Sequence, residues 1–182
     1  PAFGALAREL RTLLRLAQRP LDVVSVACSD GCELYSAAIV LAEQGGLGET
    51  RLWGIDCRPA AIERARQATY PRAAVDAVEP ALRQRYFEGI GDSFRVIAAL
   101  RERTTWKVAD AFSFDQPATA DIILCRNIAI YLRPEAAREL WQMLATRLPA
   151  GGLLMVGKAE RVVGVPELRW VDYCLYRKVG TA

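Results

Sequence analysis

The residues best equipped for chemistry sit in turns that close apolar runs. Ala27-Cys28-Ser29-Asp30-Gly31-Cys32-Glu33 follows the run 21–27, and Asp56 closes 51–55. Asp110 closes 106–109, and Arg126-Asn127 follows 121–125. A glycine in the first turn lets the backbone approach a ligand closely or adopt φ > 0. The helix behind it offers unpaired N–H groups at its start. A pyrophosphate cradle would carry Gly-x-Gly-x-x-Gly. This turn has a single glycine and sets Asp30 and Glu33 where phosphate would lie. Like charge excludes a dianion there, and opposite charge favours a ligand carrying an ammonium group. Asp56 suits both hydroxyls of a ribose, or a cap on the next helix. Asp110 suits the exocyclic amine of an adenine, or is a solvated acid at a strand end. Asn127 offers a donor and an acceptor, and its residue type also stabilises turns. Tyr131 faces an acceptor pocket or leans on a helix with its hydroxyl in water.

S-adenosylmethionine has a ribose, an adenine, an ammonium and a sulfonium, and no phosphate. It fits this pattern of acids where NAD and ATP do not. Transfer from a sulfonium needs alignment more than activation. A carboxylate acceptor is ionised at neutral pH and needs no general base. That agrees with a chain that contains no histidine. A hydroxyl or amine acceptor would call for a base, for which Glu160 and Asp30 are the candidates. Arg126 and Lys158 are the cations that could guide an anionic substrate.

The elements needed to position these residues follow from periodicity. Leu6, Leu10, Leu13, Leu14 and Ala17 mark an amphipathic helix over 4–18 that ends at Pro20. A β-branched strand over 21–27 leads through the glycine turn to a helix over 33–43, which Gly45-Gly46 terminate. A second strand over 51–55 leads to a helix over 60–69, opened by Pro59. Residues 71–107 break the rhythm and read as an inserted excursion with a small antiparallel element. Phe94–Ile97 is its brief apolar strand and Arg101–Arg103 a charged turn, before strand character resumes over 106–109. A fully buried strand over 121–125 follows, then a helix from Pro134 to about Leu148, a core strand over 153–157 and a closing antiparallel strand over 168–177. This order predicts an α/β fold, a doubly wound Rossmann-like sheet with ligands at its carboxyl edge. One domain over 1–182 accounts for the length.

Composition narrows the class. Hydrophobic residues make up 52% of the 182, enough for a large core and against disorder. The net charge of +3 does not announce a nucleic-acid binder. The five cysteines read mainly as buried thiols of a reducing, cytoplasmic compartment. Without histidine, zinc ligands are too few, and no metal is expected. No apolar run is long enough for a membrane span. Pro1-Ala2-Phe3 is not a secretory signal and lacks an initiating methionine, which leaves room for residues upstream.

From 23 to 178 the chain resembles the catalytic domain of the chemotaxis receptor methyltransferase (CheR-like) family. The matching segments are ACSDGCELYS (27–36), WGIDCRPAAIERARQATY (53–70), RYF (85–87), DIILCRNIAIYL (121–132), LPAGGLLMVGKAE (148–160) and LYRK (175–178). The Cys-Arg-Asn end of the 121–132 segment is the most specific. The resemblance implies a class I methyltransferase sheet and methyl transfer from S-adenosylmethionine, leaving S-adenosylhomocysteine, to a receptor glutamate as a methyl ester. It implies a cofactor set of Ala27, Ser29, Gly31, Glu33, Asp56, Asp110, Ala111 and Asn127. In that set Glu33 faces the ammonium, Asp56 the ribose and Asp110 the adenine. Asn127, Tyr131 and Arg126 form the reaction centre. The excursion corresponds to a small subdomain that docks a receptor tail in some members. Cys32-Glu33-Leu34-Tyr35 stands where the family usually has Glu-Glu-Pro-Tyr, and Lys158 replaces a histidine. Residues 3–18 are the only counterpart of the family's helical amino-terminal domain. Two other readings stay open at this level: a methyltransferase acting on a small molecule or another protein, and a noncatalytic cofactor-binding signalling module.

Overall fold

Consecutive buried residues in Leu21–Val26, Ile122–Cys125 and Leu153–Val156 cannot belong to a sheet with a wet face. They form parallel strands covered on both sides. The computed structural model describes residues 2–180. Pro1, Thr181 and Ala182, part of the 1–182 domain expectation, lie outside the described residues. In chain order the elements are α1 (Ala2–Leu16), β1 (Leu21–Val26), α2 (Cys32–Glu43), β2 (Thr50–Asp56), α3 (Pro59–Gln67) and β3 (Thr69–Pro71). Then come α4 (Arg72–Val75), α5 (Pro80–Tyr86), β4 (Phe87–Ile90), β5 (Ser93–Val96), α6 (Ala98–Arg101) and β6 (Thr104–Val108). The remainder is β7 (Ile122–Cys125), α7 (Pro134–Arg147), β8 (Leu153–Val156), β9 (Leu168–Asp172) and β10 (Leu175–Lys178).

The main sheet has seven strands in the order β6-β2-β1-β7-β8-β10-β9. β6, β2, β1, β7 and β8 run parallel, and β10 is antiparallel to both neighbours. The strand order reverses between β1 and β7. The turns after these two strands therefore lead away from each other and leave a crevice at the carboxyl edge. At the opposite end, Asp121 accepts bonds from Nη1 and Nη2 of Arg19 at 2.9 Å and from the Asp22 amide at 2.8 Å. These bonds fix where β1 and β7 start. The buried face of α1, with Ala5, Leu6 and Leu10, packs toward α2 and β10.

Trp106 of β6 decides two glycines. A Cβ at Gly54 of β2 would lie 2.1 Å from the indole, and one at Gly31 2.5 Å from it. The indole also packs on Tyr35 with ring centroids 5.5 Å apart, and its N–H donates to Thr104 Oγ1 at 2.9 Å.

The excursion differs in extent from the 71–107 expectation. A separate antiparallel sheet, β3-β5-β4, begins at Thr69, whereas Thr104–Val108 pairs with β2 in the main sheet. Pro71 marked the expected boundary but ends β3, an edge strand, where a missing N–H is tolerated. Arg101 of the expected charged turn closes the short helix α6. The expected single closing strand is a hairpin, β9 and β10, turning at Cys174 with φ 56°.

Candidate functional site

The crevice between the β1 and β7 turns is a cavity of about 570 Å³. Residues 27–30, Cys32 and Glu33 form one wall, and 126–128 with Tyr131 another; 56–58 and 109–112 complete it. This volume suits a nucleoside-sized ligand.

Asp56, only 3% exposed, ends β2 inside this space. Its Oδ2 accepts the Ser29 amide at 2.9 Å and Arg58 Nη2 at 3.3 Å. Its Oδ1 accepts the Arg58 amide and Nε, both at 3.0 Å. Burial alone would raise this carboxyl, but the bonds from Arg58 and Ser29 hold it below the ordinary carboxylate range. Glu33, on the first turn of α2, pairs with Arg126 Nη1 at 2.9 Å. Burial raises Glu33 to about 7, with Glu160 and Asp30 adding to the rise and Arg126 opposing it. Arg126 lies over the Phe3 ring of α1 at 5.7 Å, and its buried Nε has no hydrogen-bond partner among the described residues. Asp30 accepts the Cys32 amide at 3.3 Å and so turns the chain into α2. Its carbonyl accepts the Tyr70 hydroxyl of β3 at 2.9 Å.

On the other wall, Asn127 adopts φ 60°, a conformation its residue type tolerates. Glu160 holds that wall together. Buried to 3% exposure, it accepts the amides of Asn127 (2.9 Å), Ala129 (2.7 Å) and Gly157 (2.6 Å). A Cβ at Gly157 would lie 2.5 Å from Asn127 Oδ1 and 2.7 Å from Glu160 Oε2, so only glycine fits. Tyr131 is 82% exposed at the rim, beside exposed Phe112. Asp110 accepts the Phe112 amide at 2.8 Å and is exposed on the cavity floor next to Ala111.

The structure thus brings Ala27, Ser29, Glu33, Asp56, Asp110, Ala111, Arg126, Asn127 and Tyr131 together around one cavity. Gly31 is the exception. It is buried at φ 81°, and its Cα faces Trp106 and Ala65, so its freedom serves packing and the turn rather than a ligand. Glu160 is not a free base, because three amides occupy its oxygens. The expectation of mainly buried cysteines holds for three of the five. Cys28, Cys125 and Cys174 are buried, but Cys32 and Cys57 are exposed and line the cavity with Cys28. Burial, with Asp56 close by, pushes Cys28 up to about 12, so it stays protonated. The sequence reading missed Arg58 and Phe112. Arg58 stands two residues after Asp56 at the start of α3, a spacing from which a side-chain return could have been suspected.

Fold and site together define a doubly wound α/β domain for a cationic, phosphate-free nucleoside. The acids, the apolar Ala27, Ala109, Ala111 and Ile128, and the unpartnered Arg126 Nε fit a nucleoside bearing an amino-acid tail. The chain belongs to the CheR methyltransferase, SAM-binding domain family, which matches residues 2–171. The cofactor of that domain is S-adenosylmethionine. Chemotaxis protein methyltransferase 2 of Pseudomonas aeruginosa is 32% identical over 177 residues, covering 92% of this chain and 61% of the relative. The chemotaxis protein methyltransferase of Listeria innocua is 28% identical over 151 residues, covering 83% and 58%. The chain spans 36% to 63% of the length of such relatives. The crystal structure of the N-methyltransferase NodS from Bradyrhizobium japonicum shares the fold, with TM-score 0.54, 16% identity and coverage of 99% and 98%. No helix among the described residues is long and apolar enough to cross a membrane.

Proposed function

We propose that this domain catalyses methyl transfer to a carboxylate of an acceptor protein, a glutamate side chain that becomes a methyl ester, in a chemosensory-type pathway. The observation that carries this reading is the fate of the site's carboxylates. Asp56 accepts four protein donors, Glu160 takes three backbone amides across both oxygens, and Glu33 is paired with Arg126. Asp30 and Asp110 each bond a backbone amide of their own turn and stand apart from the Asn127 wall, and an acceptor that arrives already ionised needs no base. The exposed rim of Phe112, Ile130 and Tyr131 suits a side chain presented by a larger partner.

When bound, S-adenosylmethionine supplies a methyl group on a sulfonium that is already a good leaving group. The protein's part is to hold and align. Asp56 would hold the ribose, Asp110 with Ala111 the adenine edge and Glu33 the ammonium. The free Nε of Arg126 suits a carboxylate. Asn127 and Tyr131 would border the reaction centre, oriented through Glu160. The direct test incubates labelled cofactor with the receptor and looks for base-labile methyl incorporation. Labelling stable to mild base would overturn the ester assignment. For the cofactor set, Asp56→Ala should weaken S-adenosylhomocysteine binding in calorimetry by about 1.5–3 kcal/mol, the scale for hydrogen bonds to a charged group.

Glu33 adds a pH dependence. Its folded pKa of about 7 lies above the ordinary value of 4.5. Its contribution to folding stability is therefore full below about 4.5 and fades as pH rises through about 7. Affinity for the ammonium runs the other way, because only ionised Glu33 attracts it. S-adenosylhomocysteine should bind more tightly as pH rises through about 7. Glu33→Gln should flatten that rise; a slope that survives in Glu33→Gln belongs to another group.

A further inference from the structure

We propose that Arg58 is an internal competitor for the ribose, capping Asp56 and setting the affinity of the site for its cofactor. This rests on Asp56 being the ribose acceptor. A carboxylate has about four lone-pair sites. Here four donors fill them: the Ser29 amide, the Arg58 amide, Arg58 Nε and Arg58 Nη2. A ribose diol brings two more donors and finds no room. If the Arg58 side chain withdraws, one backbone amide remains on each oxygen, and one site per oxygen opens for a hydroxyl. The two amides would then orient the carboxylate while the diol takes the place of the guanidinium fork.

Arg58 is free to make that move and Arg126 is not. The Arg58 side chain is 60% exposed and, among the described residues, bonds to no side chain but Asp56, so it can swing into water without uncovering a core. Arg126, on Glu33, is 21% exposed and lies over Phe3. The exchange at Asp56 replaces a fork in which donor and acceptor are both charged by two bonds from neutral hydroxyls, so the free site opposes its own occupation.

A double-mutant cycle tests this, with S-adenosylhomocysteine as the probe in titration calorimetry. Arg58→Ala should bind about three- to five-fold more tightly than wild type, the scale of a half-exposed ion pair. Arg58→Met, which keeps the length without the donors, should match it. In the Asp56→Ala background, Arg58→Ala should change nothing. Unchanged or weaker binding in Arg58→Ala overturns the proposal. So does tightening by Ala without Met, which would mean simple steric cover, or tightening that persists without Asp56. If Asp56→Ala binds like wild type, the ribose assignment itself has failed. If it binds weakly while Arg58→Ala gains nothing, only the competitor role has.

Discussion

Glu160→Ala should lower stability by about 3 kcal/mol, because it strands three backbone amides at once, one buried and two part-buried. For a domain of this size, that corresponds to a fall in Tm of roughly 6–12 °C. The loss should not be confined to stability. The amides of Asn127 and Ala129 define the turn after β7, and Tyr131 follows on the same turn. Freed of Glu160, this wall should relax, and S-adenosylhomocysteine affinity should drop at temperatures where the variant is still folded. Glu160→Gln keeps one acceptor oxygen and turns an NH2 group toward an amide donor. It should fall between wild type and alanine. Urea unfolding of the three proteins, with binding measured below the transition, checks the order. Equal stability of alanine and wild type would remove Glu160 from its place as the organiser of the turn.

The second large effect is at Gly54. An alanine methyl there would sit 2.1 Å from the Trp106 ring, which parallel pairing of β6 with β2 holds over Gly54. Overpacking of this kind costs about 1–3 kcal/mol, and this contact belongs at the upper end. The diagnostic is compensation. Trp106→Leu alone should also destabilise, by about 2–4 kcal/mol, through the space it leaves. Combined with Gly54→Ala, it should cost clearly less than the sum, with a coupling of about 0.5–3 kcal/mol. Strict additivity would show that the methyl and the indole do not meet.

Much of the scaffold was legible because its signals are local. β1, β7 and β8 are short apolar runs with turns at their ends, and Asp56 and Asn127 stand where such strands stop. What escaped depends on partners distant in sequence. Nothing near Gly31 says that its missing side chain makes room for Trp106; only the sheet order, with β2 between β6 and β1, lets the indole reach across to that turn. Glu160 looked like a candidate base because its three amides come from two separate turns. Asp56 was legible as an acid at the end of its strand, where it lines the cavity, but not as one already saturated by its neighbour two residues on. The start of the small sheet was misplaced because Pro71 reads as punctuation when it is the last residue of an edge strand.

The hydroxyl of Tyr70 ties that small sheet to the carbonyl of Asp30. That bond joins the outlying strands to the loop proposed to hold the nucleoside. Thermodynamic reciprocity then applies: a protein seated on the strands that displaces Tyr70 alters nucleoside affinity by the same factor as the nucleoside alters the protein's. For a macromolecule docked on those strands, recognition and loading of the methyl donor would be linked through that phenol.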